Sequence, residues 1–160
     1  MKRVLNRIYR TIMPLLVVLC VLLVVLRLFG VYVIFVKGES MMPTIQDGQL
    51  FIAIKIDPDD IRQGDIVAVR LETDNGTKLI IKRVIGLPFQ EVYIGYSTIW
   101  IDGDWISEPY LSRPGWNDFG EHDISLTLGP DEFYLMGDNR ENSWSGIVTK
   151  EQILGRVIGK

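Results

Sequence analysis

The chain is poor in the side chains that most often do chemistry. Of its 160 residues one is a cysteine, Cys20, and one is a histidine, His122. A single cysteine excludes an internal disulfide and any multi-cysteine metal site. Cys20 also lies inside an apolar run, where a buried or lipid-facing thiol is the plain reading. His122 stands in a charged stretch, GEHDIS, with no pattern tying it to a nucleophile, and reads as a solvated surface residue. A serine–histidine couple, the commonest way to activate a hydroxyl, therefore has no support. Excess positive charge is missing as well: 17 Lys and Arg against 20 Asp and Glu leave a net charge of −3. That balance gives no basic field for a phosphate backbone, so nucleic acid is not an expected partner. Repeats and low-complexity tracts are absent. The length suits one anchor, one compact unit and one active site.

Charge is missing in one further place, from Thr11 to Leu26, and apolar character resumes after Arg27 as far as Val36. About 20 apolar residues span a bilayer core as a helix, so residues 9–28 suffice if Arg27 snorkels to the far interface. Pro14 sits near the first turn, where it costs least. Lys2, Arg3, Arg7 and Arg10 precede the run, and the positive-inside rule places them in the cytoplasm. The expected division is a cytoplasmic N-terminus at 1–10, a transmembrane anchor at 11–30 and an extracytoplasmic body at 31–160, single-pass in the cell membrane. A cleavable secretory signal shares the basic start. The run continues past a usual signal core, however, and no small-x-small pair with a polar break closes it.

From Val31 onward the residues are β-branched and aromatic, which predicts a strand over 31–39. Alternation places Ile34, Val36, Gly38 and Ser40 on one side and Val33, Phe35 and Lys37 on the other. Further strands are predicted at 50–55, 65–71, 78–85, 91–94, 98–101, 122–126, 132–136 and 153–158. DPDD, TDNG, IDGD and LGPDE supply turn chemistry between them. Residues 108–121 read as an irregular loop. Many short strands with little amphipathic helix predict a mainly β fold, an all-β sandwich or barrel behind one N-terminal helix.

Two residues in this frame invite chemistry. Ser40 lies in GESMMPTI, between a strand and a proline that pushes Met42 toward extended geometry. A lysine can serve as base when burial lowers its pKa, and Lys82 in KLIIKRVIG shares a strand face with Ile80 and Val84, so apolar atoms can surround its stem. Strand lysines are more often solvated, so alternation alone leaves the choice open.

Four segments settle the direction of the reading: SMMPT at 40–44, GDIVAV at 64–69, KRVIGLP at 82–88 and GDNRENS at 137–143. Taken singly, each has a structural explanation, such as a tight turn before a core strand or a turn braced by Asn139 and Arg140. In this order, and behind an apolar span, they resemble the successive boxes of the type I signal peptidases, the serine–lysine family that includes bacterial leader peptidase. The resemblance covers nearly the whole chain and implies the signal-peptidase-like β catalytic domain. It also implies Ser40 as nucleophile, Lys82 as general base and Ser143 as the hydroxyl that orients the lysine amine, without metal or cofactor. Where some members carry an oxyanion-binding hydroxyl two residues before the nucleophile, this chain has Gly38. The Asp and Arg that many members place shortly after the GDNRxxS serine are replaced by SWSGIVTKEQ, so the ion pair usual there is not expected. The turn that closes the KRVIGLP box carries Phe89 and Gln90 in place of Gly-Asp, which predicts altered local packing beside an intact pair.

The implied substrates are secretory preproteins, cut after a small-x-small segment at the end of the signal peptide. An extended substrate is expected to add alongside residues 34–40 and 78–82, with Ile34, Val36, Gly38, Met41, Ile45, Ile80 and Ile81 as its binding residues. Phe35, Phe51 and Ile52 are expected at the lipid surface, which makes the bilayer a second partner. A related peptidase with a narrow client range, such as a pilin or conjugation peptidase, fits the same residues. Outside enzymes, the competing reading is an inactive membrane-tethered peptide-binding domain.

Overall fold

The computed structural model describes residues 2–74, 76–95, 98–112 and 123–159, with side chains from Tyr9 onward. His122 and most of the predicted 108–121 loop lie outside the described residues.

Helix α1 covers Lys2–Leu28, with Pro14 inside it. Its apolar part, Tyr9–Leu28, is 20 residues long with a mean hydropathy of 2.8, and none of it is buried against the protein. A helix that is apolar all round with no buried face is long and greasy enough to cross a bilayer. Arg27, in the last turn, lies over the Tyr32 ring at 5.1 Å.

Eleven strands follow among the described residues. They are β1 (Val31–Phe35), β2 (Leu50–Ile54), β3 (Ile66–Thr73), β4 (Gly76–Gly86), β5 (Glu91–Ile94), β6 (Ile99–Ile101), β7 (Asp104–Trp105), β8 (Ile124–Thr127), β9 (Glu132–Met136), β10 (Gly146–Thr149) and β11 (Ile153–Ile158). The larger sheet has the order β1-β2-β11-β3-β4-β9-β10 and the smaller β7-β6-β5-β8. Every pairing is antiparallel.

Over Ile66–Val69 of β3 and Ile81–Gly86 of β4 the central strands are buried on both faces, so alternation there sorts their side chains into different cores rather than into core and solvent. Ile66, Ala68 and Ile81 join Ile34, Val36, Met41 and Ile45 in one cluster. Val67, Val69 and Val84 join Phe133, Leu135 and Val148 in a second. The third cluster lies between the sheets and takes Ile85 and Met136 together with Val92, Ile94 and Ile99 of the smaller sheet.

The predicted strands 91–94, 132–136 and 153–158 coincide with β5, β9 and β11. Three differences have local causes. β1 ends at Phe35 instead of continuing to residue 39. Gly38 takes a left-handed φ of 106° and gives its N–H to Asp47 Oδ1 at 2.6 Å, which turns the chain out of the strand. β3 and β4 run further into their hairpin than expected, to the pair Thr73↔Gly76. β7 and β10 are not among the predicted strands: β7 has only two residues, and β10 opens on a glycine. Phe51, expected at the lipid surface, packs against the first core cluster, whereas its neighbour Ile52 is exposed.

Candidate active site

The nucleophile candidate sits on a loop pinned at both ends. Val36 N–H donates to the Gln49 carbonyl at 2.8 Å before it, and Ile45 N–H donates to the Met41 carbonyl at 2.8 Å after it. Met41 and Ile45 are buried in the first core cluster, so the chain leaving Ser40 is anchored by apolar packing on one side and by the strand on the other. Lys82 lies in the middle of β4, opposite Val67 of β3. Its amine reaches the nucleophile loop, and Lys82 Nζ stands 2.8 Å from Ser40 Oγ.

Lys82 is 3% exposed. Burial removes the water that stabilises an ammonium ion, and the Lys78 ammonium on the same strand repels a second positive charge. Asp138 opposes both, and the net result lowers the Lys82 pKa from 10.5 to about 8. A neutral amine within hydrogen-bond distance of a hydroxyl is the arrangement that general-base activation of serine needs.

A cleft of about 920 Å³ opens onto this pair. Its geometry follows from the sheet. β1 is an edge strand, and β9 pairs with β4 only from Arg83 onward, so the β4 backbone before Lys82 has no strand beside it on that side among the described residues. An extended peptide can therefore find backbone donors and acceptors on both walls. Ile34, Val36, Gly38, Met41, Ile80 and Ile81 line the cleft. Ile45, also expected there, does not: it is 0% exposed and belongs to the core.

Ser143 lines the same cleft, yet its hydroxyl donates to the Trp144 carbonyl at 3.1 Å. The bond to the lysine amine implied by the family resemblance is not formed in this structure. Gly137 brings the two serines together: a Cβ on Gly137 would fall 2.0 Å from Ser143 Oγ and 2.3 Å from the Ser40 carbonyl oxygen. Only hydrogen fits there. At Gly38 a side chain would meet nothing within 4 Å, but the φ of 106° disfavours one, and its N–H is already given to Asp47. Ser40 N–H takes no protein partner among the described residues and is free to donate to an oxyanion.

Behind the pair lie two buried ion pairs. Arg83, next to Lys82, forks onto Asp138 through Nε to Oδ1 at 2.8 Å and Nη2 to Oδ2 at 2.6 Å, and Nη1 donates to the Gly64 carbonyl at 2.8 Å. The Thr44 hydroxyl donates to the same carboxylate. GDIVAV, read as structural, thus contributes a carbonyl that orients Arg83. Arg140 forks onto Glu108 at 2.5 and 3.2 Å. The departure after Ser143 had suggested that an ion pair is missing; a second one is present, with its acid drawn from the loop after β7. Glu108 escaped sequence reasoning because nothing in SEPY announces a buried carboxylate 32 positions from its partner. At the turn of the KRVIGLP box, Gln90 does the bracing: its Oε1 accepts from Leu87 N–H at 2.8 Å and its Nε2 donates to Asp102 at 2.9 Å. Phe89 adopts a left-handed φ of 68° there.

Comparison with known proteins points to one family. A family model described as "Signal peptidase, peptidase S26" matches residues 9–159. The chain is 34% identical over 158 residues to a signal peptidase I of Bacillus amyloliquefaciens, covering 87% of this chain and 80% of that one. It is 35% identical over 153 residues to signal peptidase I T of Bacillus subtilis (strain 168), covering 86% and 76%. Among solved structures, a signal peptidase I of Enterococcus faecalis V583 aligns with a TM-score of 0.50 at 24% identity, over 61% of this chain and 96% of that one, which shows a shared fold.

Proposed function

The chain belongs to the signal peptidase family, peptidase S26, and on that premise we propose that it is a membrane-bound serine endopeptidase that removes signal peptides from secretory preproteins through Ser40 and Lys82. The observation that carries the proposal is the 2.8 Å contact between a hydroxyl and a buried amine whose pKa is lowered to about 8.

In this reading neutral Lys82 takes the Ser40 proton as Oγ attacks the scissile carbonyl carbon, and the developing oxyanion accepts a hydrogen bond from Ser40 N–H. The resulting ammonium returns the proton to the departing amine as the C–N bond breaks, leaving an ester on Ser40. A water molecule then attacks the ester carbonyl and gives its proton to Lys82, and the released serine takes that proton back. The substrate lies extended between residues 34–38 and the open edge of β4. Isoleucine and valine walls leave room for small side chains in the segment before the cut, which fits a small-x-small pattern there.

The division into a cytoplasmic segment, an anchor and an extracytoplasmic body remains part of the proposal. The apolar helix supports it, and so does the β1–β2 face. Val33 pairs with Ile52 and Phe35 with Leu50 in register, and all four are exposed. Such a face close behind the anchor suits contact with lipid, and it would hold the cleft near substrates that are themselves membrane-embedded.

The test is cleavage of a purified preprotein by the full-length chain in detergent micelles. The wild type is expected to release the mature protein, while Ser40→Ala and Lys82→Ala are expected to lose nearly all of the rate. An inactive wild type, or either variant at full rate, sinks the proposal.

A further inference from the structure

Arg83, Arg140, Asp138 and Glu108 are all buried. Four charges inside a small β protein need a reason, because a buried ion pair is no better for stability than well-packed apolar side chains of the same volume. Their connections supply one. Tyr110 couples the two pairs: its hydroxyl donates to Glu108 Oε1 at 2.6 Å, and its ring lies under the Arg83 guanidinium, 3.8 Å from Cζ to the ring centroid. On the other side, Arg140 Nε donates to the Gly137 carbonyl at 2.9 Å. Two residues further on, Asn139 N–H donates to the Ser40 carbonyl at 3.1 Å and Asn139 Nδ2 to the Glu39 carbonyl at 3.1 Å. A continuous chain of short contacts therefore runs from the loop after β7, through Arg140 and residues 137–139, to the backbone of the nucleophile.

We propose that Glu108 and Tyr110 are positioning residues of the active site: by clamping Arg140 and Arg83 together they hold residues 137–139 against Ser40 and keep its hydroxyl in line with Lys82. The inference rests on the assignment of Ser40 and Lys82 above. Neither residue touches the reacting atoms; both act through the segment that does. The contact at Gly137 is so close that a shift of residues 137–139 by a few tenths of an ångström displaces the Ser40 backbone or opens a gap against it. A misplacement of about 1 Å can cost about 100-fold in rate. The clamp also accounts for an arginine and a carboxylate so far apart in sequence forming a fork of two hydrogen bonds, since a bidentate pair fixes direction as well as distance.

The experiment compares four full-length proteins in detergent micelles on one purified preprotein. They are the wild type, Tyr110→Phe, Glu108→Gln and the double variant Glu108→Met with Arg140→Met, which removes both charges of that pair together. Thermal melts establish which are folded. The expected result is a kcat lower by about tenfold or more in Glu108→Gln and the double variant, and by about threefold in Tyr110→Phe, with KM within about twofold of wild type throughout. A merely structural clamp leaves kcat untouched once the protein is folded. A folded double variant with wild-type kcat overturns the role of Glu108. Tyr110→Phe removes one oxygen and keeps the ring over Arg83, and wild-type kcat in that variant overturns the role of Tyr110. Ser40→Ala runs alongside: if the wild type cleaves and Ser40→Ala does not, the assignment of the nucleophile stands whatever the clamp variants do.

Discussion

Replacing Lys82 by methionine should make the protein more stable while abolishing its activity. The perturbation keeps an unbranched stem of similar length and removes the amine. In the folded state the Lys82 pKa is about 8, against 10.5 for an unhindered lysine. At about 1.4 kcal/mol per pKa unit, holding the ammonium form in the site costs on the order of 3 kcal/mol. The sign follows from proton counting. Between pH 8 and 10.5 the unfolded chain holds a proton that the folded chain has released, so wild-type stability rises with pH across that window. Below pH 8 both states are protonated and the whole cost is present. Lys82→Met removes it, less about 1 kcal/mol for the lost hydrogen bond to Ser40. The net gain at pH 6 to 7 is about 2 kcal/mol, or roughly 4–8 °C in midpoint for a protein of this size. Thermal melts of the full-length chain in micelles, followed by near-UV circular dichroism at pH 6.5 and 9.5, measure it. The advantage of Lys82→Met should be large at the lower pH and mostly gone at the higher. Equal or lower stability at pH 6.5, or an advantage independent of pH, refutes the claim that the amine is held against its preference.

Gly137→Ala should reduce the cleavage rate by about 100-fold or more, because its methyl group would occupy the space of Ser143 Oγ and the Ser40 carbonyl; a variant within threefold of wild type contradicts the close approach. Phe89→Gly should stabilise the protein by up to about 1 kcal/mol, since it relieves a left-handed conformation at an exposed side chain. A denaturant midpoint that falls instead would show that the ring contributes packing.

The strands with strong period-2 or β-branched patterns were legible in the sequence: β5, β9 and β11 lie where the pattern put them, and the apolar helix is unmistakable by length. The cleft was legible in outline, because the residues before Ser40 and before Lys82 flank it. The two-residue β7 and the glycine-led β10 were not, since pairing with a neighbouring strand, rather than their own composition, makes them strands. The end of β1 was missed because a left-handed Gly38 depends on Asp47 being placed to accept its N–H. Alternation named Lys82 as core-facing but could not distinguish it from a solvated strand lysine; that distinction lies in burial on both faces of β4, a property of sheet order. Glu108 was invisible for the same reason, its role existing only once Arg140 lies beside it. Ile45 was expected among the cleft residues, whereas the turn after Met41 carries it into the core.

The central claim is that an uncharged Lys82 amine takes the proton of Ser40, and the pH dependence of kcat/KM on a preprotein tests it most directly. With the Lys82 pKa at about 8, roughly a tenth of the enzyme carries the neutral amine at pH 7 and about nine tenths at pH 9. The predicted profile climbs about tenfold per unit below pH 7.5 and levels off above 8.5. A rate that is flat from pH 6 to 9, in a protein that stays folded throughout, would contradict it.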